Sequence, residues 1–372
     1  QMGNQIAGGK PGNRTNGVDT ENKEQEERKM KIGVVQSGSL GGTYGEKYDD
    51  AFWKRLWKEN LADRLGPEDE LVWLDFAQLR DFDRGAADFD AIIGAWIVDD
   101  MLNDEVLNRH PNLKYVSTLS HGFGRIDPEV CRKHHLTVTN TVYGDMTIAQ
   151  YAMALLLDIC HNVGANDDYY RHKKWLPENH GKRFLALTRQ IELYEKTMGI
   201  IGLGNIGYCT ARMAAGFGMK VIASSRHKKQ GEKYDFIEQV DMDELLKRSD
   251  VISIHCPLTD ETRKMIDKEA FRKMKDGVIL INTARGAIID EEALKEALDG
   301  GKVYAAGLDV VAGEPLSEPC RLMECRNTRI TEHIAWAPVE SRIRSIRIAC
   351  RNFLNWKEGH PTSVVSNAGL SA

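Results

Sequence analysis

From residue 31 onward the chain alternates short apolar runs with longer amphipathic stretches. The runs at 31–36, 71–74, 91–94, 115–118 and 136–139 have the length and composition of buried strands. Between them, 47–65, 104–109 and 128–134 show apolar positions at helical spacing. Residues 146–162 form one long apolar helix carrying Ile148, Tyr151, Ala152, Ala154, Leu155 and Leu156, and a polar connecting stretch follows to about 190. A second series opens at Lys196, with strands at 198–201, 220–224, 250–255, 277–282 and 303–308. Its helices fall at 206–216, 241–247, 267–274 and 290–298, and a last helix lies near 339–357.

Strands alternating with helices call for parallel sheets covered on both faces. Two such series predict an α/β chain of two doubly wound parallel-sheet domains. The last helix returns to the first series, which makes that domain discontinuous. The expected division is a flavodoxin-like substrate domain, 30–141 and 336–372, with a Rossmann dinucleotide-binding domain, 142–335, inserted into it. Residues 1–29 are rich in Gly, Asn, Gln and Glu, nearly lack large apolar side chains, and read as a disordered tail. Gln precedes Met2-Gly3 and Ala occupies position 7, so no myristoylation is expected here.

Composition narrows the function classes. Apolar residues make up 42% of 372, enough for two cores, and the net charge of −5 shows no bias toward nucleic acid. The seven cysteines are scattered, with no CxxC pair and no histidine in ligand spacing, so free thiols in a reducing compartment are expected and a metal site is not. No apolar run is long enough to span a bilayer and no signal-peptide core precedes the first strand. A soluble cytoplasmic protein without membrane or nucleic-acid partners is expected.

The run at 199–207 carries Gly202, Gly204 and Gly207 in GxGxxG spacing between a strand and a small-residue helix. Gly202 permits the tight turn, Gly204 lets backbone approach a pyrophosphate, and Gly207 lets helix and strand pack closely. Asn205 and Ile206 open the helix, whose free N–H groups and partial positive charge suit phosphates. An NAD site usually has an acidic residue about 20 positions beyond the glycines, on the ribose 2′-hydroxyl. Here the strand runs into Ser225-Arg226-His227-Lys228-Lys229, with no carboxylate. A cation in that place suits the 2′-phosphate of NADP, which is the expected cofactor, with NAD as the alternative. A plain solvated basic turn is the structural reading of the same residues.

Three later segments place polar residues just past strands: Arg285 in ILINTARG (279–286), Asp309 and Glu314 in GLDVVAGEP (307–315), and His333 after a third strand in RITEHIAWAP (329–338). In open α/β sheets ligands bind beyond the carboxyl ends of strands, so all four should rim one crevice. Singly, Arg285 also reads as a salt-bridged strand end, Glu314 as a turn residue, and His333 as a satisfied, partly buried histidine. Their joint placement after strands of one sheet favours a shared role.

Together with GIIGLGNIG, the segments HCPLTDETR (255–263), NTARG (282–286), LDVVAGEP (308–315) and HIAWAP (333–338) make the chain resemble the D-isomer-specific 2-hydroxyacid dehydrogenases over 31–358. That resemblance implies an NAD(P)-dependent enzyme, usually dimeric, that interconverts 2-keto acids and D-2-hydroxy acids between two domains. It implies that His333 is the general acid and base, with Glu314 fixing its tautomer and raising its pKa, and that Arg285 holds the substrate carboxylate. It implies that Asp309 contacts the nicotinamide carboxamide, and that Cys256, Pro257, Thr283 and Ala284 lie along the cofactor. It implies that the backbone of Ser120-His121-Gly122-Phe123 binds the carboxylate, with the turn at Gly94, Ala95 and Trp96 facing the same pocket. His134, His135, His255 and the side chain of His121 lack such company and read as structural or exposed. Trp336 reads as packing.

Two departures stand out: Glu332 precedes His333 where proline is common, and Gln150 stands where the long helix often carries Glu. HIAWAP with the Arg226 turn looks most like the glyoxylate and hydroxypyruvate reductases, which implies an NADPH-preferring reductase of a small 2-keto acid. The alternative is a nucleotide-sensing corepressor-like protein on the same scaffold. Formate dehydrogenases carry Gln where this chain has Glu314.

Overall fold

The computed structural model describes residues 29–35, 46–74, 83, 88–95, 97, 101–123, 126–173, 189–314 and 316–366. The expected tail before Lys29, Gln36, Trp96, most of the connecting stretch (174–188) and Pro315 lie outside the described residues.

Two sheets form, and every strand pair in both is parallel. The first has β1 (Lys31–Val35), β2 (Glu70–Leu74), β3 (Ala91–Ala95), β4 (Tyr115–Thr118) and β5 (Thr137–Thr139), in the order β2-β1-β3-β4-β5. The second has β6 (Thr197–Ile201), β7 (Lys220–Ser224), β8 (Glu238–Gln239), β9 (Val251–Ile254), β10 (Val278–Asn282), β11 (Val303–Leu308) and β12 (Thr328–Ile330). Its order is β12-β11-β10-β9-β6-β7-β8. The edge strand β8 went unread in the sequence because it is short and polar, whereas β12 is the strand expected before His333. Strand β8 takes its extended form from pairing with β7 rather than from an apolar pattern.

Alternation of side chains builds a core on each face of each sheet. In the first, Ile32, Val34, Ala91, Ile93 and Tyr115 pack with Trp53, Trp57, Ile346 and Phe353. Val35, Ile92, Ala95 and Val116 pack on the other face with Leu107, Leu113, Cys131 and Leu136. In the second, Ile200, Val251, Ile279 and Ile281 face the long helix Asp145–His161, while Ile201, Ile252, Ile254 and Leu280 face the opposite layer. Each fully buried Ile, Val, Leu or Phe among them contributes about 1.5–3 kcal/mol. The last helix, Val339–Lys357, packs on the first sheet, where Phe353 meets Tyr115 at a ring-centroid distance of 5.3 Å.

The helices start where polar residues satisfy their free N–H groups. Asp241, Asp267 and Asp290 each accept from the N–H three residues on, and such a cap is worth about 1 kcal/mol. The helix expected over 47–65 is shorter, Asp50–Asn60, because Asp49 caps it and the chain turns at Leu61. The polar stretch after His161 begins with a further helix, Val163–Lys173.

Register positions the site. Ile201 pairs with Ile254, Ile254 with Asn282, Asn282 with Leu308, and Leu308 with Ile330. Five parallel strands therefore end at one level, and Gly202, His255, Thr283, Asp309 and Thr331 leave the same edge of the sheet.

Candidate active site

The glycine turn has the form a dinucleotide needs. Gly202 has φ +95°, and a Cβ there would stand 2.6 Å from the Cys256 backbone nitrogen. A Cβ on Gly207 would fall 2.1 Å from the Gly202 carbonyl oxygen, so helix Asn205–Gly216 can seat on the turn only without one. Gly204 is exposed, has nothing within 4 Å of its Cβ position, and heads that helix with no side-chain cap. The N–H groups of the exposed Asn205 and half-buried Ile206 are therefore open to a ligand. Nearby, Thr283 Oγ1 is buried without a hydrogen-bond partner among the described residues, while Ala284 N–H donates to Asn282 Oδ1 at 2.9 Å. A bare helix start, an open glycine and an orphaned hydroxyl fit a phosphate-bearing cofactor.

Burial pushes the Cys256 thiol up to about 11, so it stays protonated and packs against the second core, next to the exposed Pro257. Beyond β7, Ser225 Oγ donates to the His227 carbonyl at 2.9 Å and so shapes the basic turn. Arg226 is exposed and lies 3.2 Å from Glu261.

The strongest polar cluster joins the ends of β11 and β12. His333 Nδ1 lies 2.7 Å from Glu314 Oε2, and Glu314 Oε1 accepts from Val311 N–H at 2.6 Å. Burial acts to raise the Glu314 pKa. The hydrogen bonds from His333 and Val311, with the charges of His333 and Arg285, outweigh it and hold the carboxyl below its ordinary range. Asp309 is buried and spends its carboxylate on the histidine loop, accepting from Thr331 Oγ1 (2.6 Å), Ile334 N–H (2.9 Å) and Ala335 N–H (2.8 Å). A carboxylate has about four lone-pair sites, so about one remains for another donor. Burial raises the Asp309 pKa against those bonds.

Arg285 arrives from β10 and Gly122 from beyond β4, on opposite sheets. A Cβ on Gly122 would lie 2.0 Å from Arg285 Nη2, so the guanidinium rests directly on that backbone. Arg285 Nη1 donates to the Ala284 carbonyl at 2.7 Å. Burial lowers the Arg285 pKa and the charge of Glu314 opposes that fall; the group stays cationic in any event. The next residue, Gly286, packs so tightly on Val311 that a Cβ would meet its backbone at 1.9 Å. Gly122, Arg285, Glu314, His333 and Asp309 thus form one continuous constellation. Gly94 and Ala95 are the buried last residues of β3, and Gly94 packs against Val35 and Leu119.

The sequence missed several members. The His121 side chain has company after all, with Nδ1 3.6 Å from Asp145 Oδ1. Burial lowers its pKa, Asp145 opposes, and the charge of Arg285 adds to the fall. Thr331, just past β12, went unread because a single threonine at a strand end carries no sign of its partner Asp309. Tyr151 stands near enough to Thr331 for that hydroxyl to oppose the rise that burial causes in its pKa, although its helical position looks like plain core. Glu291 caps the 311–314 loop by accepting from Ala312 N–H at 2.6 Å. Glu332 and Gln150, the two departures, are both exposed. Among the described residues no cluster of three His, Cys, Asp or Glu could hold a metal ion, and no helix is long and apolar enough to cross a membrane.

Comparison with known proteins converges on one family. The profile of the D-isomer-specific 2-hydroxyacid dehydrogenase NAD-binding domain matches residues 153–335. A hydroxypyruvate reductase of Blautia hydrogenotrophica is 42% identical over 263 residues, 70% of this chain and 81% of its own. A glyoxylate reductase of Korarchaeum cryptofilum is 36% identical over 283 residues, covering 75% and 83% respectively. Among solved structures, the TT0316 protein of Thermus thermophilus superposes with a TM-score of 0.74 at 31% identity, over 90% of this chain and all of that one. Shared sequence over most of the chain, shared fold, and a nucleotide-binding turn beside a histidine–carboxylate pair place this chain in the D-isomer-specific 2-hydroxyacid dehydrogenase family, as a nicotinamide-dependent oxidoreductase of CH–OH donors.

Proposed function

We propose that this enzyme reduces a small 2-keto acid, glyoxylate or hydroxypyruvate, to the corresponding 2-hydroxy acid, with NADPH preferred over NADH. The observation that carries the reading is the 2.7 Å contact of His333 with Glu314 in the constellation that holds the half-buried Arg285. The reductase names of its relatives support the substrate class. The basic turn at Ser225-Arg226 supports the cofactor preference.

A bound reduced nicotinamide supplies hydride to the keto carbon. Arg285 binds the substrate carboxylate through its planar fork, assisted by backbone N–H groups of the His121-Gly122 loop. Glu314 accepts from His333 Nδ1–H, which leaves a proton on Nε2 to pass to the keto oxygen as negative charge develops there. Arg285 and the histidine together stabilise that charge. Asp309 keeps the histidine loop in place and offers its remaining lone pair to the carboxamide of the cofactor. Gly202, Gly204, Asn205, Ile206 and Gly207 take the pyrophosphate, Thr283 and Ala284 line its path, and Ser225 with Arg226 takes the 2′-phosphate. We further propose the discontinuous division at 30–141 with 336–372 and 142–335, since helix Val339–Lys357 packs on the first sheet, and a homodimer in solution.

Steady-state kinetics with NADPH and NADH against glyoxylate, hydroxypyruvate and phenylpyruvate test the proposal. The expected result is turnover of the two small acids with a higher kcat/KM for NADPH. Absence of cofactor oxidation with all three acids would sink it.

A further inference from the structure

The 2′-position of a bound adenosine ribose is judged at the end of the second Rossmann strand. Along the chain that place holds Arg226 and no acid, but in space an acid is there. Arg226 Nη2 lies 3.2 Å from Glu261 Oε2, 35 residues away. Glu261 belongs to the loop after β9. That loop is internally braced: Thr259 N–H donates to Thr262 Oγ1 at 2.7 Å, and the same hydroxyl donates to the Pro257 carbonyl at 2.7 Å. The arginine turn is braced as well, since the Gln239 side chain accepts from Lys229 N–H at 2.7 Å and donates to the Lys229 carbonyl at 2.8 Å. In the sheet β6 lies between β7 and β9, and the glycine turn follows β6. The Arg226–Glu261 pair therefore links the loops on either side of the glycine turn.

We infer that Glu261 is a second specificity-determining residue of the cofactor site, a built-in competitor for Arg226 that weakens binding of a 2′-phosphorylated nucleotide. This rests on the assignment of Arg226 to the 2′-phosphate. A phosphate monoester carries roughly −1.5 to −2 charge near neutral pH. To grip it, Arg226 must release Glu261, and the released carboxylate then remains close to a dianion. Both effects count against NADPH, and neither acts on a cofactor with a 2′-hydroxyl. The effect is modest because both side chains are mostly exposed, 65% and 79%. The enzyme consequently discriminates less sharply than Arg226 alone dictates and accepts both cofactors.

Calorimetric titration of the full chain with 2′,5′-ADP and with 5′-AMP tests this without turnover. Glu261→Gln should bind 2′,5′-ADP about threefold to fivefold more tightly, and 5′-AMP within about twofold of the parent. The gain should shrink as salt is raised. Unchanged 2′,5′-ADP affinity, or equal tightening for 5′-AMP, overturns the proposal. Arg226→Ala probes the underlying assignment separately: if it loses no 2′,5′-ADP affinity, Arg226 is not the phosphate contact, whatever Glu261 does.

Discussion

His333 Nδ1 and Glu314 Oε2 stand 2.7 Å apart, although they leave different strands and His333 sits at φ 50°, in the left-handed region. A non-glycine residue there is costly and persists only where its surroundings over-determine it. Here the His333 N–H donates to the Asp309 carbonyl at 2.8 Å and the following two N–H groups donate to the Asp309 carboxylate. Buried Asp309 thus aims the imidazole, and Glu314 fixes its tautomer.

Glu314→Gln keeps the shape but removes the charge that orients the imidazole. We expect kcat to fall about 100-fold or more while KM for the keto acid changes little, read by steady-state kinetics. The native Glu314 carboxyl titrates below its ordinary 4.5, so its contribution to stability is present above that pH and is lost as pH falls through the lower native value. Denaturant unfolding of the variant should accordingly show a shallower loss of stability at acid pH.

Asp309→Asn replaces one accepting oxygen with an amide that faces N–H or O–H donors. The expected result is a stability loss of about 1–3 kcal/mol in urea unfolding, with lower kcat from a loosened histidine loop. A parent-like midpoint and kcat would show that the loop holds itself.

Gly122→Ala places a methyl where Arg285 Nη2 now lies. The guanidinium is the far end of a flexible side chain, so the protein should fold and the arginine should shift. We expect KM for glyoxylate to rise about tenfold, since a misplaced fork loses one of two charge-assisted bonds. An unchanged KM would separate Arg285 from carboxylate binding.

His255 is held neutral, its pKa pushed down to about 3 by burial, with Ser253 Oγ 2.8 Å from its Nε2. Unfolded, it titrates near 6.5. The unfolded chain therefore binds a proton that the native one refuses, and this contribution is fully present above 6.5 and lost as pH falls toward 3. Between pH 7 and 5 it removes about 2 kcal/mol. His255→Gln should flatten that part of the pH–stability curve in urea titrations; an unaltered slope would show that His255 does not titrate differently on folding.

Much of this protein is determined locally and can be read along the chain. The alternation of apolar runs identifies the buried strands, because residues facing a core on both sides of a sheet must be apolar. Gly202 and Gly207 are legible because a turn at φ +95° and a helix seated on a carbonyl exclude Cβ. Arg285, Glu314 and His333 are legible as polar residues following such strands. Tertiary structure alone decided who meets whom. Gly122 meets Arg285 across two sheets, Glu261 meets Arg226 beyond β7, and Asp309 turns its carboxylate to the histidine loop. Strand β8 is extended only as the partner of β7. These relations depend on parallel register and crossover connections, which bring together residues far apart in sequence and leave no local signature in it.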